Sequence, residues 1–569
     1  MKGTAVVPAE LGSKASRRPA RRMGTHWGWF IAAWSVALLV VLPVLAVCFL
    51  ALPTPEDGRG VWMHLLTTVL PGYVWTSLLL MLGVALMAGS IGLTTAWLTT
   101  MYQFPLRRFY EWGLLLPFAV PANVIAYVYT DVLEFAGPVQ GWLRELFGWE
   151  TPRDYWFPEI RSLGGAIVMI SLVLYPYVFM LARAAFLEQS TSLRDASRTL
   201  GCNALQSFWR VALPGARPAI AVGLALTLME ALNDFGTVDY FAVRTLTAGI
   251  FNVWLNMGSV SGAAQIALCL MLFIIGLVWI ERHARRRQKL FGKSEQFRRY
   301  RRPVLAGRQG WLASLACFLP LGMGFFFPVG VLVRHAVVYF EASWTAEFVE
   351  FAMNSLILST SAALLTLAIG ILLAYAKRLD RTRSVQHALK LSSLGYAMPG
   401  AVIGLGVLIP LAGFDNALDT FMRDTFGIST GLLLTGSMAA IVIAYVVRFL
   451  AVSAGAIEAS LDKVTPSMDM AARSLGENTW RTLWRVHLPL IRPGLLTAAL
   501  VVFVDAMKEL PATLLLRPFD FDTLATNVYQ YASDELLEMA ALPALVIVAV
   551  GVLPVIVLSR TIVASRREV

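Results

Sequence analysis

Charge is scarce in this chain. Only 15% of its 569 residues are Asp, Glu, Lys or Arg, and 57% are hydrophobic. A soluble domain carries about 25% charged residues, so an ordinary soluble domain is excluded. Cysteine is nearly absent. Cys48, Cys202, Cys269 and Cys317 are scattered, which points to neither a disulfide framework nor a cysteine metal site. The histidines (His26, His64, His283, His335, His387 and His487) are equally dispersed and read as structural or interfacial. There is no His-Glu-x-x-His, no Gly-x-Ser-x-Gly and no Cys-x-x-Cys, and no metal site or catalytic residue is assigned. A nucleotide-binding loop is missing too. Gly292-Lys293-Ser294 resembles the end of one, but its first glycine would fall on Arg287 and no strand precedes it.

Long apolar runs fill the space that charge leaves. They fall near 29–52, 75–100, 112–134, 163–187, 218–235, 261–280, 311–335, 353–376, 390–412, 431–456, 493–512 and 541–562. About twelve transmembrane helices are expected, in an all-α polytopic membrane protein. The runs at 218–235 and 493–512 are short and contain acids. Arg17-Arg18 and Arg21-Arg22 precede the first run, and Leu45-Ala46-Val47-Cys48 faintly resembles a lipoprotein box. At about 24 residues the run is too long for a signal segment and fits an uncleaved spanning helix.

The formal net charge is +11, and its placement follows the positive-inside rule. The stretch 281–310 is dense in Arg and Lys, whereas 336–350 has neither. Alternation then puts both termini on the cytoplasmic side of a bacterial inner membrane. The basic stretch reads as a cytoplasmic linker near anionic lipid head groups rather than a nucleic-acid site. It divides the chain into a tail at 1–28, a first half at 29–280, the linker at 281–310 and a second half at 311–569.

The halves are repeats. Thr76-Ser77-Leu78 matches Asn354-Ser355-Leu356, Gly92 matches Gly370, Ala96-Trp97 matches Ala374-Tyr375 and Pro121 matches Pro399, all at an offset of 278. Six helices per half make the repeats parallel, with a pathway expected between them. Each half also carries one hydrophilic island. The first runs from Asp195-Ala196-Ser197 through Gly201 to Leu213-Pro214. The second runs from Met470-Ala471-Ala472 through Gly476 to Leu488-Pro489, at an offset of 275. In each, the glycine is expected to end one short helix and the Leu-Pro pair to stop a second. Thr191 or Ser192 could cap the first island's helix. Thr465 before Pro466 gives a cap and a first-turn proline in the second. Such a helix pair would suit docking of a partner.

The islands resemble the EAA loop of binding-protein-dependent ABC-importer permeases (the MetI-like type), in which Glu-Ala-Ala, a glycine and a later Leu-Pro recur. The Gly-to-Leu-Pro spacing fits in both copies. The acid is Asp195 in the first, whereas Met470 stands there in the second, beside Asp469. The resemblance covers about 71–280 and 349–560. It implies that Asp195, Ala196, Ser197, Gly201, Leu213 and Pro214, and Ala471, Ala472, Gly476, Leu488 and Pro489, form coupling loops. Two copies of a separate ABC ATPase would engage these loops and hydrolyse ATP, so this chain would be no enzyme and hold no cofactor. An extracytoplasmic solute-binding protein would deliver the cargo. Within that family, Phe186-Leu187-Glu188-Gln189-Ser190 and Met507-Lys508-Glu509-Leu510-Pro511-Ala512-Thr513 resemble the fused ferric-iron permeases. Fused permeases for thiamine and aminoethylphosphonate are similar.

Glu230 and Asp234 are four residues apart, as are Asp505 and Glu509 at the 275 offset, with Lys508 beside the second pair. Four-residue spacing places each pair on one helix face, and ionisable groups inside a membrane usually face a cavity or a partner. They are the candidate pathway residues, suited to a cation, with Lys508 a possible structural neutraliser. An ion-gradient-driven secondary transporter and a non-transporting scaffold or receptor are the rival readings. The secondary-transporter reading leaves the islands unexplained.

Overall fold

A backbone inside a membrane must satisfy its own hydrogen bonds, and a helix does so within one segment. The computed structural model describes residues 27–52, 63, 65–189, 197, 199–286, 302–380 and 382–564. Among them, eleven helices are long and apolar enough to cross a membrane, and one bent pair can supply a twelfth crossing. Spans 1 and 2 are Trp27–Leu50 and Leu66–Met101, and span 3 is the bent pair Arg107–Ala119 and Ala122–Phe147. Spans 4 to 6 are Leu163–Leu187, Leu205–Asn233 and Val260–His283. The second half supplies spans 7 to 12: Gly307–Val338, Ala346–Leu379, Gly400–Phe426, Ala439–Leu461, Thr479–Met507 and Leu537–Ile556. No β-strand occurs among the described residues. The all-α polytopic expectation holds.

The repeat extends to individual hydrogen bonds. Ser77 Oγ accepts the Leu246 N–H at 3.0 Å, and Ser355 Oγ accepts the Leu524 N–H at 2.7 Å. Both donors and both acceptors are related by the offset of 278. Gly92 and Gly370 act alike as well. A Cβ on Gly92 would lie 2.9 Å from the Tyr175 carbonyl oxygen, and one on Gly370 would lie 2.9 Å from Ser453 Oγ. Span 2 thus closes on span 4, and span 8 on span 10, through a small-residue contact typical of membrane helices.

A proline stands at the equivalent place in both halves, inside span 3 and just ahead of span 9. The two segments of span 3 meet at 88°. Proline disfavours the helical region for the residue before it. Accordingly Val120 is extended (φ −93°, ψ 126°), and Pro121 caps the next helix at φ −61°, ψ 142°. Met398 (φ −88°, ψ 130°) and Pro399 (φ −60°, ψ 146°) repeat this geometry ahead of span 9.

Spans 5 and 11 correct the sequence expectation. They are not short, and Leu-Pro stops neither. In each, the island's second helix runs on through a wide turn into the membrane helix, giving 29 residues in one piece. The Leu213 N–H reaches the Phe208 carbonyl, and the Leu488 N–H the Leu483 carbonyl, both five residues back. Proline has no N–H and its ring clashes with the carbonyl four residues back in an α-helix. The π turn sits immediately before Pro214 and Pro489, where the helix continues instead of breaking.

Each half lends its first helix to the other. Span 1 packs on span 9 and on the helix Arg383–Ser392 that precedes it, and Trp34 Nε1 donates to Ser384 Oγ at 3.1 Å. Span 7 packs on span 12 of its own half and also reaches back to the first half. Tyr110 and Ser314 hydroxyls meet at 2.9 Å, and Tyr129 OH donates to the Met323 carbonyl at 2.9 Å. The described end of the linker is fixed too, since the Gln103 N–H donates to the Pro303 carbonyl at 3.0 Å and the Leu305 N–H to the Gln103 carbonyl at 2.9 Å. Residues 287–301, half of the basic stretch, and the tail to residue 26 lie outside the described residues.

Candidate functional site

A cavity of about 140 Å³ lies between the halves, and equivalent positions of both line it. Glu230 faces Asp505, Asn233 answers Lys508 and Asp234 answers Glu509, all at the 275 offset. Phe118 and Tyr396 correspond at 278. All five sequence-predicted pathway residues therefore converge on one space.

Their helical placement differs from the expectation. Span 5 ends at Asn233 and span 11 at Met507, so Asp234 and Glu509 lie just beyond the helices that carry Glu230 and Asp505. Each instead holds the start of a following short helix. Asp234 Oδ1 accepts the Thr237 N–H at 3.0 Å, ahead of Gly236–Tyr240. Glu509 Oε1 accepts the Ala512 N–H at 3.2 Å, and Oε2 the Thr513 N–H at 3.2 Å and Thr513 Oγ1 at 3.1 Å, at the start of Pro511–Leu516. A carboxylate satisfies the free N–H groups of a helix start and suits its dipole.

Glu509 also pairs with Arg448 at 2.8 Å, and their side chains are 2% and 11% exposed. Arg448 was missed in the sequence, where it is a lone cation inside the apolar run 431–456. An ionisable residue inside a span is itself a signal, and that signal was available. Its counterpart at the 275 offset is Val173, which also lines the cavity, so the first half has no such pair. Asn233 straps the halves together: its Oδ1 accepts the Gly400 N–H at 2.7 Å and Arg448 Nη1 at 3.4 Å. Gly400 fits closely here: a Cβ would lie 2.4 Å from Glu509 Oε1 and 2.5 Å from Arg448 Nη1, so any larger residue must displace that ion pair.

The remaining charges face the cavity. Lys508 Nζ lies 3.0 Å from Asp505 Oδ1 and 4.3 Å from the centre of the Phe118 ring. Glu230 is within electrostatic range of Arg448, Asp505 and Lys508. Four carboxylates thus meet two cations. Among the described residues, no three His, Cys, Asp or Glu side chains converge as a metal centre.

The islands lie at the bundle end where spans 4 and 10 finish. Asp195 and Ala196, with the expected caps Thr191 and Ser192, lie outside the described residues. Ser197 is buried and shares a 2.9 Å hydrogen bond with Ser207 Oγ. Its counterpart Ala472 is buried too, whereas Ala471 is exposed. Gly201 and Gly476 adopt left-handed φ of 81° and 80°, the conformation that ends a helix at low cost only for glycine. Around them, large apolar side chains face outward at matching positions. Leu200 and Leu475 are 83% and 84% exposed, and Leu205 with Trp480 and Trp209 with Trp484 are also exposed. In the second island the helix starts at Pro466 as expected, but Thr465 does not cap it and shares a 2.8 Å contact with Ser467 Oγ instead. Asp469 anchors this helix inward, 2.8 Å from Arg378 Nη2 and 2.7 Å from His487 Nε2.

Residues 88–290 and 366–568 each match the family described as binding-protein-dependent transport system inner membrane component. This chain belongs to that family. The two matches are themselves offset by 278, in step with the repeat. The chain is 28% identical over 539 residues to the Fe(3+)-transport system permease protein FbpB 2 of Haemophilus influenzae, covering 92% of this chain and 98% of that protein. It is 25% identical over 450 residues to the ferric transport system permease protein FbpB of Actinobacillus pleuropneumoniae, covering 74% and 61% respectively. A probable sulfate transport system permease protein, cysT of Chlorokybus atmophyticus, is 29% identical over 237 residues, covering 40% of this chain and 78% of that protein.

Proposed function

We propose that this transport permease forms the membrane pathway of an ATP-driven importer and that its cargo is ferric iron. One observation carries the reading. The central cavity is lined by equivalent positions of both halves, and each half joins it to an exposed apolar island by one unbroken helix. Exposed apolar patches of this kind mark interaction sites. Each island receives one copy of a separate cytoplasmic ATPase, which binds and hydrolyses the ATP. A solute-binding protein delivers the cargo from the opposite face. Both termini and the linker are cytoplasmic. As the ATPases close they draw the islands together, and spans 5 and 11 carry that displacement to Glu230 and Asp505.

The charge of the cavity supports a cation over an oxyanion. Four carboxylates outnumber Arg448 and Lys508, an unfavourable lining for a doubly negative ion. The fused ferric permease of Haemophilus influenzae matches along nearly its whole length, whereas the sulfate permease matches less than half of this chain. The test is ferric-iron uptake by proteoliposomes holding the permease, its ATPase and its binding protein, with and without Gly201→Trp plus Gly476→Trp. Both glycine Cβ positions open on free space, but their left-handed φ strains any side chain there, so Leu200→Asp plus Leu475→Asp, at the exposed neighbouring positions, is the matched variant with an unstrained backbone. Loss of ATPase association and uptake is expected. Undiminished association would overturn the docking role, and sulfate uptake without iron uptake would overturn the cargo.

A further inference from the structure

We propose that Lys508 is a tethered counter-cation: its ammonium holds the place beside Asp505 and Glu230 that a passing cation takes, and swings aside as the cation moves through. The inference rests on the cationic-cargo reading and deepens it.

The cavity charges are of two kinds. Arg448 and Glu509 are almost wholly buried, and Glu509 is further held by the Ala512 and Thr513 N–H groups. That pair is part of the scaffold. Lys508 and Asp505 keep side-chain exposures of 22% and 24%, facing the cavity at 3.0 Å from one another. The ammonium also lies over the ring of Phe118, which belongs to the opposite half. Its environment, a carboxylate on one side and a π face on the other, is what a small cation would be offered at that spot.

A pathway needs this arrangement for a physical reason. Glu230 and Asp505 come from opposite halves and, without Lys508, would confront a multivalent cation with uncompensated charge in a confined space. Such a site would trap its cargo, whereas conduction requires weak and transient contact. Lysine suits the task because its charge is compact and its four-carbon stem is flexible. Only one half carries it, since Asn233 stands at the equivalent position. When the halves separate, Phe118 leaves the ammonium, which weakens its hold as the cargo arrives.

Two measurements test this on the full permease with its ATPase and binding protein. One is ferric-iron uptake into proteoliposomes, and the other is retention of Ga³⁺, a redox-inert trivalent probe, after desalting of the purified complex. In Lys508→Gln, uptake is expected to fall by about tenfold while Ga³⁺ is retained at about one ion per chain. Adding Asp505→Asn to Lys508→Gln removes the trap, abolishing retention and restoring most of the uptake. A merely structural lysine would give lost uptake without retention and without rescue, which would overturn the proposal, as would wild-type uptake in Lys508→Gln. If the wild-type complex moves no ferric iron, the cargo reading falls and this inference with it. Wild-type uptake with no trapped ion in Lys508→Gln removes this inference alone.

Discussion

Removing Arg448 should release a charge that the fold cannot otherwise balance. In Arg448→Met the Glu509 carboxylate keeps three donors at 3.1–3.2 Å but loses its counter-ion while its side chain is only 2% exposed. Breaking a buried pair by deleting one partner costs about 3–5 kcal/mol. The three remaining donors place this case near the low end, at about 3 kcal/mol. Glu509→Gln in the Arg448→Met background removes the stranded charge and should recover about 2 kcal/mol. The first half supplies an internal control. Asp234 occupies the position of Glu509, but Val173 stands where Arg448 would be, so Asp234→Ala should lose only capping energy, about 1 kcal/mol. Unfolding of the purified protein in mixed micelles, followed by tryptophan fluorescence across a denaturing-detergent titration, measures all three variants. A cost below about 1 kcal/mol for Arg448→Met, or no recovery in the double variant, would refute the view that this pair carries a buried charge.

Three further outcomes are expected. Asp469→Asn weakens the hold of Arg378 and His487 on the second island, so amide exchange across 466–474 should speed up by roughly tenfold while span 10 is unaffected; unchanged exchange would remove the anchoring role. Gly400→Ala places a methyl 2.4 Å from Glu509 Oε1, and the overpacking should cost about 1–3 kcal/mol by the same titration; a neutral result would mean that the Asn233 strap yields easily. Arg161 bridges Glu134 of the first half and Glu535 of the second, at 2.8 Å to each. Arg161→Glu should raise ATP hydrolysis in the absence of binding protein, and adding Glu535→Arg should reverse it. Equal basal hydrolysis in all three forms would show that this bridge does not help to hold that side shut.

Much of this was legible in the sequence. Hydropathy alone gives the approximate number of spans, because most runs are long and nearly free of charge, the two short acid-bearing runs at 218–235 and 493–512 excepted. The match of Pro121 to Pro399 relates the two halves here but does not announce the breaks, since the apolar runs 112–134 and 390–412 pass through both prolines. The 275 offset brings Glu230, Asp234, Asp505, Lys508 and Glu509 to one cavity. What escaped has local causes. Four-residue spacing says where side chains would lie on a helix but not where the helix stops, so the ends at Asn233 and Met507 were invisible. Leu-Pro reads as a terminator unless a π turn precedes it, and nothing in Phe208–Ala212 or Leu483–His487 announces one. Arg448 disappeared into the average of its apolar run, although a lone arginine there was the strongest single clue to the ion pair.

The exchanged first helices bear on how the protein is made. Span 1 leaves the ribosome long before span 9, the helix it packs on, exists. From Leu50 to Gly400 the gap is roughly 350 residues, tens of seconds of synthesis at about 5–20 residues per second. During that interval the face of span 1 carrying Ala33, Ala37, Val40 and Val47 lacks that partner and must be met by lipid or by the insertion machinery. The same exchange gives the halves contacts that do not run through the linker. A chain severed there would give two pieces hooked arm in arm, and a gene split at that point could still yield an assembly that does not drift apart.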